Sequence, residues 1–160
     1  MKKNVPLFLL LASTLFFIFA KCEDDDIQLA DLPDYVQNYL NANYPGAEVE
    51  DPEQQSFCTG ITIFELDVET SETEKVTLGF DSEGNLLFTA KEISVSALPA
   101  SVSAAIGAQY PGYKIKEAER LDAPDGSARY ELTIRKGNSR LEVLLSAEGT
   151  VICEQVEDGE

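Results

Sequence analysis

Along this chain two apolar stripes of helical period are each followed by segments in which apolar and polar residues alternate. Val36, Tyr39, Leu40 and Tyr44 share one face of a helix beginning at Pro33, and Val102, Ala105, Ile106 and Tyr110 repeat that stripe after Pro99. A proline suits the first helical turn, where its missing N–H costs nothing. Tyr-Pro-Gly at 44–46 and again at 110–112 ends each helix, since proline disfavours helix before it and glycine permits a reversal. The period then becomes two. Phe64, Leu66 and Val68 alternate with Glu65, Asp67 and Glu69, and Tyr130, Leu132 and Ile134 alternate with Glu131, Thr133 and Arg135. Val76, Leu78 and Phe80, and in the second half Leu141, Val143 and Leu145, supply the next strands. Asp81–Asn85 and Ser146–Gly149 read as hairpin turns into Leu86–Ala90 and Val151–Cys153, and weaker strands are expected near Ala47–Asp51 and Lys114–Leu121.

The two halves are copies of one unit. Ala30–Val36 returns as Ser96–Val102, Asn43–Ala47 as Gln109–Tyr113, and Phe64–Val68 as Tyr130–Ile134, all at an offset of 66. The offset becomes 65 for Phe80–Gly84 against Leu145–Gly149, so one residue is missing from an intervening loop. The expected fold class is α+β: two tandem repeats, each one helix packed on an antiparallel sheet of about four strands, over 29–94 and 95–160. One sheet face should be apolar and covered by the helix, the other polar and wet.

Leu-Pro, then Val, then Tyr-Pro-Gly-Ala, an alternating strand and Phe-Asp-x-x-Gly resemble the PepSY-like family of bacterial extracytoplasmic proteins, over residues 29 to 156. That family is similar in fold to the beta-lactamase inhibitory protein, with helices on one side of an antiparallel sheet. The resemblance implies a non-catalytic binding or inhibitory role. Its motifs are packing and turn residues, so no functional residue set carries across.

The N-terminus adds an address. Lys2 and Lys3 precede sixteen uncharged residues, Val5–Ala20, the layout of a secretory signal and short for a membrane span. Cleavage after Ala20 is one reading. In the other, residues 1–21 are the signal and Cys22 is the lipidated first residue of a bacterial lipoprotein, followed by an acidic tether over 22–28. Lys21 departs from that pattern, standing where such signals carry Gly, Ala or Ser. A lipid-anchored chain would sit at the outer membrane, periplasmic or surface-exposed, held by more than one acyl chain.

Charge and composition then narrow the chemistry. The full chain has 29 acidic and 12 basic side chains, no histidine, and a net charge of −17. Starting at Cys22 removes three lysines and no acid, leaving −20 over 139 residues. Such a balance argues against a nucleic-acid partner, and the lack of histidine excludes imidazole nucleophile pairs and imidazole metal ligands. No cofactor is expected. Asp24-Asp25-Asp26 reads as a solvated charge run, and Asp81–Asn85 lacks the ligand spacing of a calcium loop. A small hydrolase with paired carboxylates is the alternative from another class; against it, a thin core offers little cleft in which burial would raise one carboxyl pKa.

The best candidate surface is the sheet face away from the helices. Glu65, Asp67, Glu69, Glu131, Arg135 and the apolar Leu144 would dock an envelope protein of cationic or mixed charge there. An ordinary solvated face, in a purely structural envelope protein, is the alternative. Cys58 and Cys153 are an even pair for a disulfide in an oxidising compartment, with two unlinked thiols the other possibility.

Overall fold

Each helix starts where a proline carbonyl becomes its first acceptor. The structure is a computed structural model describing residues 32–56, 60, 62–71 and 74–156. Residues 1–31, with the expected signal, Cys22 and the acidic run, lie outside these, as does Cys58. Helix α1 is Asp34–Asn43 and α2 is Ala100–Gln109. Pro33 and Pro99 stand just ahead of the helices, at the cap, and not in the first turn as expected. The Pro33 carbonyl accepts from Val36 and Gln37 N–H, and the Pro99 carbonyl from Ser103 N–H.

Both helices stop in the same way. Tyr44 N–H donates to Leu40 and Ala47 N–H to Tyr44; Tyr110 and Tyr113 repeat this on Ile106 and Tyr110. Gly46 and Gly112 supply the left-handed residue at φ of 82° and 87°. Ten-residue helices are marginal alone, so each depends on the sheet beneath it.

After α1 come β1 (Glu48–Ser56), β2 (Thr62–Ser71), β3 (Glu74–Phe80) and β4 (Leu86–Glu92); after α2 come β5 (Lys114–Asp122), β6 (Ala128–Lys136), β7 (Ser139–Ser146) and β8 (Val151–Val156). The strands expected to be weak, β1 and β5, are nine residues each. All eight pair antiparallel in chain order in one sheet. The expectation of a sheet for each repeat is corrected here. β4 bonds to β5 through Thr89–Asp122, Ala90–Leu121, Lys91–Arg120 and Glu92–Glu119, fusing the halves.

Both helices lie on one face. Val36 and Leu40 bury against Leu66, Val68, Leu78 and Phe80; Val102 and Ile106 bury against Leu132, Ile134, Val143 and Leu145. The alternation read from sequence is this face of β2, β3, β6 and β7.

The other face is not uniformly wet, which corrects the second expectation. Ile63, Phe88, Ala90, Leu121 and Leu144 form a third buried cluster there. Register shifts in five of the seven strand pairs supply the geometric reason, because bulges bend strands and add to the sheet's twist. In β4 the shift at Gly79/Phe80 leaves Leu86 on the helix side and turns Phe88 to the opposite face.

Phe88 then fills the space over Gly79. A Cβ added at Gly79 would stand 2.4 Å from Phe88 Cζ. Gly79→Ala is therefore expected to cost about 1–3 kcal/mol by overpacking, read as a lower urea midpoint. Combining it with Phe88→Leu should return part of that loss, since the smaller side chain clears the added methyl.

Candidate functional site

The curled, helix-free face gathers side chains from strands far apart in the ladder. Glu53 of β1, Glu65 of β2, Glu117 and Glu119 of β5, Glu131 of β6 and Glu142 of β7 line one cavity of about 260 Å³. In a flat sheet β1 and β7 would lie about 29 Å apart, at ~4.8 Å for each of six intervals. One small cavity reaching both means that the face is concave. Thr133 and Arg140 complete the polar lining, and Arg140 is its one cation.

Glu131 is central. Its neighbours across the ladders are Glu119 on β5 and Leu144 on β7. Burial, followed by the charges of Glu142, Glu119 and Glu65, pushes its carboxyl up to about 8. Glu119 is also raised, first by burial and then by Asp67, Glu92, Glu117 and Glu142. At neutral pH Glu131 therefore keeps its proton. The thin-core argument against such a shift is corrected: curvature of the second sheet face supplies the desolvation that a flat wet face would not.

Other charges on this face are committed. Asp67 accepts from Thr77 Oγ1 at 2.6 Å and pairs with Lys75 at 2.8 Å, and Lys75 reaches Glu50 at 3.3 Å. Arg140 pairs with Glu117 at 3.3 Å. Glu142 accepts from Gln155 of the neighbouring strand.

The sequence-derived candidates thus separate. Glu65 and Glu131 line the cavity, and Asp67 sits beside it in its ion pair. Glu69 lies farther along β2, opposite Lys75. Arg135 is exposed near the end of β6, its Nε donating to the Gly137 carbonyl. Leu144, expected as an apolar contact for a partner, is corrected to a floor residue: it is 2% exposed and packs under the face with Phe88 and Leu121.

Sequence reasoning missed Glu117, Glu119, Glu53 and Arg140 as cavity residues. The signal for Arg140 was its period-two parity with Glu142 on β7; for the three glutamates it was the acidic decoration of β1 and β5. The shifts at Glu50/Glu53 and Ile115/Glu117 break the period-two parity that would have assigned those side chains to a face.

The turn at Asp81 is a plain hairpin turn. Its carboxylate accepts from the backbone of Glu83 and Asn85 and from the Asn85 side chain, which holds the carboxyl below its usual range. Among the described residues no group of three or more carboxylates or thiols is arranged to hold a metal ion, and no helix is long and apolar enough to cross a membrane. Cys153, opposite Leu144 on β8, is disulfide-bonded, while Cys22 and Cys58 both lie outside the described residues.

The PepSY-like profile, described as beta-lactamase-inhibitor-like, matches this sequence twice, over residues 18–88 and 67–153. The chain belongs to the PepSY-like family. The two matches overlap over 67–88 and between them reach both halves of the internal repeat. Solved structures share the fold. A DUF2874 family protein from Bacteroides uniformis superposes with a TM-score of 0.59 at 18% identity, covering 78% of this chain and 89% of its own. A BLIP-like protein from Bacteroides fragilis gives 0.51 at 21% identity, covering 81% and 91%. A protein from Bacteroides eggerthii, titled a "putative periplasmic" protein, gives 0.54 at 17% identity, covering 78% and 88%. Among curated proteins nothing matches this PepSY-like chain.

Proposed function

We propose that this chain is a non-catalytic extracytoplasmic lipoprotein that binds an envelope protein through its concave sheet face. Inhibition follows where the surface it covers is the partner's active site. In this reading residues 1–21 are removed, Cys22 is lipidated and 22–28 tether the fold to the membrane. Residues 29–94 and 95–160 are then the two units, each a helix with four strands, and Cys58–Cys153 is the disulfide that ties them. The observation that carries the binding reading is the concavity lined by six glutamates with Arg140 alone opposing them. A field of one sign in a recess steers an oppositely charged partner toward it. The beta-lactamase-inhibitor-like description of the family and the periplasmic name of a structural relative support the same reading.

The test immobilises the chain from residue 22 and exposes it to envelope extract at low salt. The expected result is one stoichiometric partner, released by about 0.5 M NaCl, where screening shortens electrostatic reach. Glu65→Lys with Glu117→Lys should abolish capture. Those positions line the cavity, whereas Asp67 sits beside it in its ion pair with Lys75. Absence of any partner at low salt, or capture indifferent to both reversals, contradicts the reading. A scaffolding protein without inhibitory action would capture its partner and leave the partner's activity unchanged.

One observation favours a second reading. A Glu131 that keeps its proton beside other carboxyls in a cavity resembles the arrangement by which a hydrolase sets an acid against a base. Turnover of chromogenic aryl glycosides that disappears in Glu131→Gln would establish it.

A further inference from the structure

We propose that a single lysine or arginine side chain of the partner enters the cavity on the concave face and seats beside Glu131 among the glutamates of four other strands, so that docking weakens in acid. The proposal rests on the binding reading above and specifies what is bound and how it is regulated. Three separate features carry it.

The first is shape. A cavity of about 260 Å³ takes one long side chain with a few waters but not a strand or a helix. The inserted element is therefore the tip of a protruding loop, and not an edge-on segment.

The second is charge complementarity. Glu119 on β5 and Glu142 on β7 flank Glu131, Glu65 and Glu53 approach from β2 and β1, and Glu117 stands at the rim. Asp67 and Glu92 contribute negative potential at Glu119 from farther along the face. Arg140 is engaged with Glu117, and Lys75 with Asp67 and Glu50, while Arg129 lies two residues before Glu131 on β6, opposite Leu121. Arg135, on the strand of Glu131 itself, donates to the Gly137 carbonyl. Among the described residues no hydrogen bond or ion pair is made by the Glu131 carboxyl. A guanidinium, with its planar fork of donors, can meet several of these carboxylates at once.

The third is the proton. Burial first, and like charges second, keep Glu131 protonated at pH 7. A cation arriving beside it reverses that balance, because an opposite charge within a few ångströms favours the ionised form. The proton leaves to solvent as the cation seats, and the net charge of the cavity changes by no more than a fraction of a unit. By linkage, affinity rises with pH, by up to roughly tenfold per unit below the midpoint of the free carboxyl. Above that midpoint there is no proton left to release and affinity levels off.

The probe is n-propylguanidinium, the arginine side chain without its backbone, with neutral n-propylurea as its isostere. Carboxyl carbon resonances of the glutamates, followed by NMR, report both protonation and binding. In the free protein Glu131 should titrate near pH 8, with n-propylguanidinium shifting that midpoint down by a unit or more. The ion should bind saturably at pH 8 and roughly tenfold or more weaker at pH 6, while n-propylurea gives no saturable shift. Glu131→Gln, which has no proton to exchange at that position, should lose most of that pH dependence. An ordinary Glu131 midpoint near 4 to 5 overturns the proposal. So does saturable binding without a midpoint change, or no binding at pH 8. None of these outcomes depends on the natural partner, so partner capture lost on charge reversal would still uphold the docking face while the proton exchange fell.

Discussion

Glu131→Gln is expected to stabilise the fold, by an amount that grows from about zero near pH 4 to on the order of 3 kcal/mol by pH 8. A glutamate in an unfolded chain titrates near 4.3, whereas in the fold Glu131 is raised to about 8. The folded state therefore binds the proton more tightly, and stability rises as pH falls from 8 toward the unfolded value. Read in the other direction, the wild type loses stability across that window, because the unfolded chain ionises freely while the fold must either hold the proton or bury a charge among Glu142, Glu119 and Glu65. Glutamine is neutral in both states and escapes the loss. The full shift corresponds to a somewhat larger figure, lowered here because the carboxyl keeps some contact with solvent. Urea midpoints at pH 5, 7 and 8.5 provide the check. Parallel curves for variant and wild type would mean that Glu131 is an ordinary surface carboxylate. Asp81, Asp125 and Glu148, whose carboxyls are lowered at exposed turns, act with the opposite sign and lose their contribution only in acid.

Phe80→Ala is expected to destabilise by about 3–5 kcal/mol. Phe80 is fully buried beneath α1. Its ring meets Tyr39 edge-on at 5.3 Å and Tyr35 at 6.0 Å, so truncation leaves a cavity and removes two aromatic contacts. Neither tyrosine closes that space by itself: Tyr39 also packs on Tyr44, and Tyr35 lies over the Gly84 turn. For a domain of this size the loss amounts to roughly 10 °C or more in Tm. Thermal denaturation followed by circular dichroism measures it, and a change below ~1 kcal/mol would contradict the packing of α1 on β2 and β3.

Much of this architecture is legible in the sequence, for reasons that individual residues make plain. Leu66, Val68, Leu132 and Ile134 face the helices because period-two alternation survives wherever a ladder runs without a bulge. The helix ends were readable because Tyr-Pro-Gly imposes the same reversal twice. The concave face was only half legible. Glu65, Asp67 and Glu131 could be placed on it by parity, but Leu144 was taken for a surface residue and Glu119 was not placed at all. Curvature depends on register shifts and on the joining of β4 to β5, and neither leaves a periodic trace in the chain. The raised pKa of Glu131 is a consequence of that curvature, since it needs burial and glutamates from three other strands converging on one recess.

That recess as the docking face is the central claim, and carboxyl footprinting of the captured complex tests it most directly. Carbodiimide coupling of an amine to solvent-accessible carboxylates, read by mass spectrometry, compares the chain alone with the chain bound to its partner. The account predicts lost labelling at Glu65, Glu117 and Glu142 on the concave face, with Asp34 of α1 and Glu83 of the β3–β4 turn labelled equally in both states. Protection at Asp34 and Glu83 with Glu117 still open would place the partner on the helix side and contradict it.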